Sequence, residues 1–155
     1  MPSMKILLIA GGWSSEREVS LTGARGMQEA LLKRGHAVTF FDLLENFDEL
    51  LETARQHDFA LINLHGSPGE DGLVQAMLEK AGCPYQGSGP SGSFLALNKA
   101  AAKQIFRMAG LPTADWEFLP VRPAEGWEPR LPWPLFVKTT TGGSSLRLGR
   151  ATNRQ

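Results

Sequence analysis

The alternation of short apolar runs with stretches of helical periodicity most constrains what this chain can fold into. Lys5-Ile-Leu-Leu-Ile-Ala10 is an apolar run ended by Gly11-Gly12, the pattern of a strand buried on both faces. Ser15 and Glu18 stand at capping-box spacing, Ser20, Ala24, Met27 and Leu31 follow at helical spacing, and Gly35 stops the helix. His36–Leu43, with Val38, Thr39, Phe40 and Phe41, reads as a second strand, and Phe47, Leu50, Leu51 and Ala54 mark a second helix. Phe59–Leu64 reads as a third strand. Val74, Met77, Leu78 and Ala81 mark a third helix, stopped by Gly82 and Pro84. Tyr85 belongs to a short fourth strand, and Leu97, Ala101, Ile105 and Met108 mark a fourth helix closed by Gly110 and Pro112. This order predicts an α/β fold with a doubly wound parallel sheet. Ligands of such sheets bind at the carboxyl ends of the strands. The loops at 11–18, 65–72 and 87–92 leave that edge.

After Pro112 the character changes. Residues 120–134 carry prolines at 120, 123, 129, 132 and 134 and read as a linker or loop. Leu135–Lys138 reads as a strand, Thr139–Ser145 as a polar turn and Leu146–Ala151 as a return strand. A hairpin of this size cannot close a core of its own. The expected division is therefore a domain over 1–112 and, over 113–155, the front end of a second domain.

Composition narrows the function classes. Sixteen Lys and Arg balance sixteen Asp and Glu in 155 residues, without the basic excess of a nucleic-acid or anionic-membrane binder. The early apolar run Ile6–Ala10 is far short of the roughly 20 residues that span a bilayer, and too short for a signal-peptide core. One cysteine, Cys83, cannot form an internal disulfide, so a cytoplasmic location is expected. Cys83 reads as a small inert hydrophobe, and His36 and His57 as surface residues without partners.

Several clusters could carry chemistry. His65-Gly66-Ser67-Pro68-Gly69-Glu70-Asp71-Gly72 follows the third strand and opens the third helix. Its glycines allow close backbone approach to a ligand, helix amides favour an anion, and His65 can add a donor. Equally, Glu70 and Asp71 can serve only to cap the helix. In the Gly12–Glu18 cluster, Glu16 and Ser20 share a helix face. A carboxylate beside free helix amides suits an amino-acid zwitterion, while a capped and solvated first turn is the plainer alternative. Gly87–Gly92 matches GxGxxG but lies after the fourth strand, with Pro112 where the acidic residue of a dinucleotide site would stand. It reads as a tight turn into a helix. Lys138 with Gly142-Gly143-Ser144-Ser145 is a candidate phosphate cradle.

Taken together, these clusters resemble the D-alanine–D-alanine ligases, ATP-grasp enzymes of peptidoglycan synthesis. Gly11 through Ser20 is similar to the family's opening, two glycines and then Ser-x-Glu-Arg-Glu-x-Ser. His65 through Ala76, Gln75 included, meets its His-Gly-x-x-Gly-Glu-Asp-Gly-x-apolar-Gln-small pattern. Pro84 through Gly89 meets Pro-Tyr-x-Gly-Ser-Gly, and Lys99 is the lysine that precedes Gly110-Leu111-Pro112. The resemblance covers 1–119 well and 133–149 partly. The departures are Thr139 after Lys138, where the family has proline, and Arg147, where it has glycine.

The resemblance implies a Rossmann-like preATP-grasp domain followed by the incomplete start of an ATP-grasp domain. It implies ATP-dependent joining of two D-alanines through an acyl phosphate, serving cell-wall biogenesis and cell shape. It implies that Glu16, Val19, Ser20 and His65 contact the first D-alanine. Lys99, Lys138, Gly143 and Ser145 would lie at ATP, and Ser144 would join Glu16 in a catalytic hydrogen-bond network. Magnesium is the implied metal, with its ligands downstream of this chain and none within it. A homodimer is implied, with no nucleic-acid or membrane partner. The 155 residues alone are expected to be inactive. A stand-alone amino-acid-binding module and a D-alanine–D-lactate type ligase are the alternative readings.

Overall fold

The computed structural model describes residues 2–143 and 148–153. The chain divides into two compact units, Met1–Leu95 and Ala96–Gln155. That division falls ahead of the boundary at 112 expected from the sequence. The helix before 112 is tied to residues on its carboxyl side: Lys99 N donates to Thr140 O at 2.9 Å, and Lys103 Nζ donates to Thr113 Oγ1 and Ala114 O at 2.9 and 2.8 Å.

The first unit is built on three parallel strands, β1 (Lys5–Ala10), β2 (Ala37–Asp42) and β3 (Phe59–Ile62), in the order β2-β1-β3. Leu8 lies opposite Phe40 on one side and Leu61 on the other. Tyr85 adds a single parallel bridge to Ala60, where a fourth strand was expected. The side-chain amide of Gln86 extends that edge, accepting from Ile62 N at 3.0 Å and donating to Ile62 O at 2.6 Å.

Both faces of the sheet are covered. Helix α1 (Arg17–Lys33) packs Ala24 against Leu8 and Ala10. On the other face, Leu7 and Ile9 meet Leu43 of α2 (Leu43–Asn46), Leu50 and Ala54 of α3 (Leu50–Ala54), and Val74 and Leu78 of α4 (Leu73–Ala81). The doubly wound α/β reading therefore holds, and β1 is the apolar strand between two layers that its composition predicts.

Some local expectations fail for identifiable reasons. The Ser15–Glu18 capping box does not form; α1 starts later, with Glu16 at its N-cap, and Glu16 N donates to Ser14 Oγ at 3.2 Å. The second helix is broken into α2, a 3₁₀ turn at Phe47–Glu49 and α3. Asn46 leaves helical geometry, and its side-chain amide donates back to Asp42 O at 3.1 Å, the local competition that polar side chains offer a helix. Met27 lies mostly outside the α1 stripe; Ser20 and Ala24 are its buried members.

The second unit is sparser. Helix α5 (Pro90–Leu97) runs across the division and was not separately expected, although Pro90 at its first position is a known start signal. Helix α6 (Lys99–Met108) is capped by Asn98 Oδ1, which accepts from Ala101 N at 3.1 Å. Residues 111–134 hold no helix or strand, as the prolines predict. Strands β4 (Leu135–Val137) and β5 (Gly149–Ala151) pair antiparallel.

Candidate functional site

In the first unit, two of the motif loops meet at the carboxyl edge of neighbouring strands. The loop after β1 carries Gly11–Glu16, and the loop after β3 carries Asn63–Gly72. They are in close contact. A Cβ on Gly66 would stand 3.5 Å from Ser14 Cβ, and one on Gly12 would stand 3.3 Å from Leu64 Cδ2. Glu16 sits at the N-cap of α1, half-buried, and its carboxylate does not cap that helix. Val19 is 62% exposed on the first turn. His65 is half-buried in the β3–α4 loop.

Ser20 departs from its expected role. It is fully buried, its hydroxyl accepts from Gly11 N at 2.8 Å, and it donates to Asn63 O. Asn63 completes the exchange: its Nδ2 donates to Ser20 O at 2.7 Å, and its amide donates to Ile9 O at 2.8 Å. These bonds join the ends of β1 and β3 to α1 and leave the Ser20 hydroxyl no proton for a ligand. Ser20 thus holds the two loops together. Asn63 was missed, though a polar side chain inside the apolar run Phe59–Leu64 is a readable signal.

The acids of the His65 cluster also turn inward. Gly66 N donates to Glu70 Oε2 at 3.0 Å, and Glu70 N donates to Gly66 O at 2.7 Å. Asp71 Oδ1 accepts from Leu73 N at 3.0 Å, and Asp71 Oδ2 accepts from Ser67 Oγ. Gln75, nearly buried, donates to Gly69 O at 2.6 Å. The capping alternative therefore describes Asp71, which holds the first amide of α4, whereas Glu70 closes the loop on Gly66. His65 and Glu16, both half-buried, lie in the two loops that meet at this edge.

Burial pushes the Cys83 thiol up, with help from Asp58, as fits the inert hydrophobe expected. The two other histidines do have partners. His36 Nδ1 accepts from Met4 N at 3.3 Å, while His57 spans Thr53 O at 2.7 Å and Thr39 Oγ1 at 2.8 Å.

In the second unit, Lys99 opens α6 and its Nζ donates to Gly142 O at 2.6 Å. Lys138 follows β4 directly and is exposed, as is Gly143. An ammonium is thus docked on the Gly turn that the sequence marked as a phosphate cradle. Ser144, Ser145 and Arg147 lie outside the described residues. Among the described residues no three His, Cys, Asp or Glu side chains gather as a metal site, and no helix is long and apolar enough to cross a membrane.

No family model matches the chain. It is 78% identical over 151 residues to the D-alanine–D-alanine ligase of Desulfovibrio desulfuricans, covering 97% of this chain and 49% of that protein. It is 69% identical over 149 residues to the ligase of Nitratidesulfovibrio vulgaris, covering 96% of this chain and 49% of that protein. The crystal structure of the Bacillus anthracis D-alanine–D-alanine ligase complexed with ATP superposes with a TM-score of 0.84 at 36% identity, over 98% of this chain and 51% of that one. The chain spans about half the length of the curated relatives it matches. The Gly11–Ser20 and His65–Ala76 motifs, the doubly wound sheet that brings their loops together and these likenesses agree, and by sequence and by fold the chain belongs to the D-alanine–D-alanine ligase family.

Proposed function

We propose that the chain is the N-terminal part of an ATP-dependent D-alanine–D-alanine ligase and that its first unit holds the first D-alanine. The observation that carries this reading is the meeting of the Gly11–Glu16 and His65–Gly72 loops at the sheet edge. A zwitterion needs an anion for its ammonium and donors for its carboxylate. Glu16 supplies the first, and His65 supplies a donor for the second. Val19, exposed on the same turn, supplies an apolar surface for the methyl group. Ser20 acts from beneath, through Gly11 and Asn63.

ATP supplies a phosphoryl group to one carboxylate oxygen of the first D-alanine, with ADP leaving. The amine of the second D-alanine then attacks the acyl carbon, loses a proton and displaces phosphate. Such transfer depends on positioning and charge neutralisation. Lys99, already docked on the Gly142 carbonyl, and Lys138 are the cations of this chain suited to nucleotide phosphates, beside Gly143 and Ser145. Ser144 would work with Glu16. Magnesium would neutralise phosphate charge in such a reaction, and among the described residues no cluster of His, Cys, Asp or Glu would hold it. The same reading implies a cytoplasmic homodimer that feeds peptidoglycan synthesis.

The test is titration of the 155-residue chain with D-alanine, followed by calorimetry and amide NMR. Saturable binding with shifts at Glu16 and His65, lost in Glu16→Gln, is the expected outcome. No binding, or equal binding by Glu16→Gln, sinks the substrate assignment. With Mg-ATP and D-alanine the chain alone is expected to release no dipeptide. Detection of D-alanyl-D-alanine would overturn that expectation.

A further inference from the structure

A cation opens α1, and the amino-acid site by itself does not explain it. Helix dipoles disfavour positive charge in a first turn, yet Arg17 is the first residue of α1. Its guanidinium makes a two-pronged ion pair. Nη1 donates to Asp42 Oδ1 at 2.7 Å and Nη2 donates to Asp42 Oδ2 at 2.6 Å. Nη1 also donates to Gly12 O at 3.3 Å. Asp42 is the last residue of β2, and its Oδ1 accepts from Leu44 N at 3.1 Å, which fixes the carboxylate. The pair is well shielded, with side chains 23% and 14% exposed. Gly11 lies against it: a Cβ there would stand 2.4 Å from Arg17 Nη1 and 2.5 Å from Asp42 Oδ1, at a φ of +78°. No other residue type leaves the pair where it is.

We propose that the Arg17–Asp42 ion pair is a positioning clasp for the amino-acid site. It ties the loop after β1 and the first turn of α1 to the end of β2, and so sets where Glu16 stands. Arg17 and Asp42 are positioning residues; neither is asked to touch the substrate. The inference rests on the D-alanine reading above. Bidentate guanidinium–carboxylate pairs suit this task because they fix orientation as well as distance. A lysine at 17 would keep the charge and lose the fork.

The experiment compares the wild-type chain with Asp42→Asn, Gly11→Ala, their double variant and Glu16→Gln. The first readout needs no ligand: exchange of the Ser20 amide, which donates to Glu16 O at 3.0 Å, against that of Leu8 in the centre of the sheet. Asp42→Asn and Gly11→Ala are each expected to speed Ser20 exchange about tenfold and leave Leu8 unchanged. Both should weaken D-alanine binding about fivefold, and the double variant should be no weaker than the weaker single, because both break one contact. Asp42→Glu, which keeps the charge, should recover part of the loss. Unchanged Ser20 exchange in Asp42→Asn overturns the proposal, as does wild-type affinity in that variant when Glu16→Gln has lost binding. If the wild-type chain does not bind D-alanine, the substrate reading fails, and the Ser20 comparison alone decides whether the clasp holds the loop.

Discussion

The two units answer the same problem, covering apolar side chains, with opposite success. In residues 1–95 the central strand β1 runs from Ile6 to Ala10 without an exposed position, because helices lie on both faces of the sheet. In residues 96–155 none of the described apolar residues is fully buried, and Met108 is 79% exposed and Phe136 63%. Sequence composition does not separate the two, since both are rich in apolar residues. Layering does. A parallel sheet with crossover helices makes a closed sandwich from about a hundred residues, whereas a three-residue strand pair and one helix have no second layer to press against.

The sharpest way to test that contrast is to truncate one apolar side chain in each unit. Leu8 is fully buried between Phe40 and Leu61. Leu8→Ala is expected to cost about 2–5 kcal/mol, the range for a core leucine that leaves a cavity. Phe136→Ala is expected to stay within about 0.5 kcal/mol, as surface changes do. Urea unfolding followed by circular dichroism reads both. Equal losses would erase the distinction between the units.

Backbone crowding gives a second contrast. At Gly69 an added Cβ would stand 2.2 Å from Leu64 Cβ, inside the loop that presents His65. At Gly143 nothing lies within 4 Å among the described residues. Gly69→Ala is expected to cost about 1–3 kcal/mol through overpacking, and Gly143→Ala a few tenths. A neutral Gly69→Ala would mean that the loop can shift away from Leu64.

Ser20 gives the third test, in the polar interior of the first unit. Ser20→Ala removes the acceptor for Gly11 N and the donor to Asn63 O, both buried. Leaving them unpaired is expected to cost about 1–3 kcal/mol. Ser20→Thr, which keeps the hydroxyl, should lose less if its methyl group is accommodated. A Ser20→Ala variant as stable as the parent would show that water reaches both groups, and would restore Ser20 as a candidate substrate contact.

These residues also mark how far the sequence was readable. The alternation of apolar runs and helical stripes showed the sheet, because burial on both faces leaves an unmixed pattern such as Ile6–Ala10. The placement of Glu16 and His65 was readable, because the loops that follow β1 and β3 must leave at the carboxyl edge, where folds of this type place ligands. Hydrogen-bond partners were not. Ser20 reads the same whether it faces solvent or Asn63, since a small hydroxyl suits both. Arg17 and Asp42 are far apart in the chain, and only the parallel pairing of β1 with β2 brings them together. The clue was electrostatic: a positive residue in the first turn of α1 needs a carboxylate from elsewhere. The division at Leu95 was not readable for a similar reason, since the ties of Lys99 to Thr140 and Lys103 to Thr113 are not periodic features.

The smallest expected effect is in pH dependence, and there too the units differ. Hydrogen bonding from Arg17 is the main cause that holds the Asp42 carboxyl below its usual value; desolvation opposes it, and the Arg17 charge adds to the lowering. Its folded value thus lies below its unfolded value of about 3.9. Linkage sets the sign: the pair's stabilisation is fully present above the unfolded value and is lost as pH falls through the folded one. Arg17 is shifted the other way, upward, chiefly by the same hydrogen bonds, and it stays charged throughout the accessible range. A largely shielded bidentate pair of this kind should contribute about 1 kcal/mol at neutral pH. Asp42→Asn should therefore lower the urea midpoint at pH 7, and the gap to the parent should close as pH falls through the lowered Asp42 value. The second unit's pair, Arg107–Asp115, is separated by 3.8 Å with side chains 57% and 85% exposed. Solvent and salt screen it, so Asp115→Asn should leave the midpoint unchanged at every pH. Parallel pH profiles for Asp42→Asn and the parent would mean that Arg17 holds the loop through Gly12 O alone, with the carboxylate a bystander.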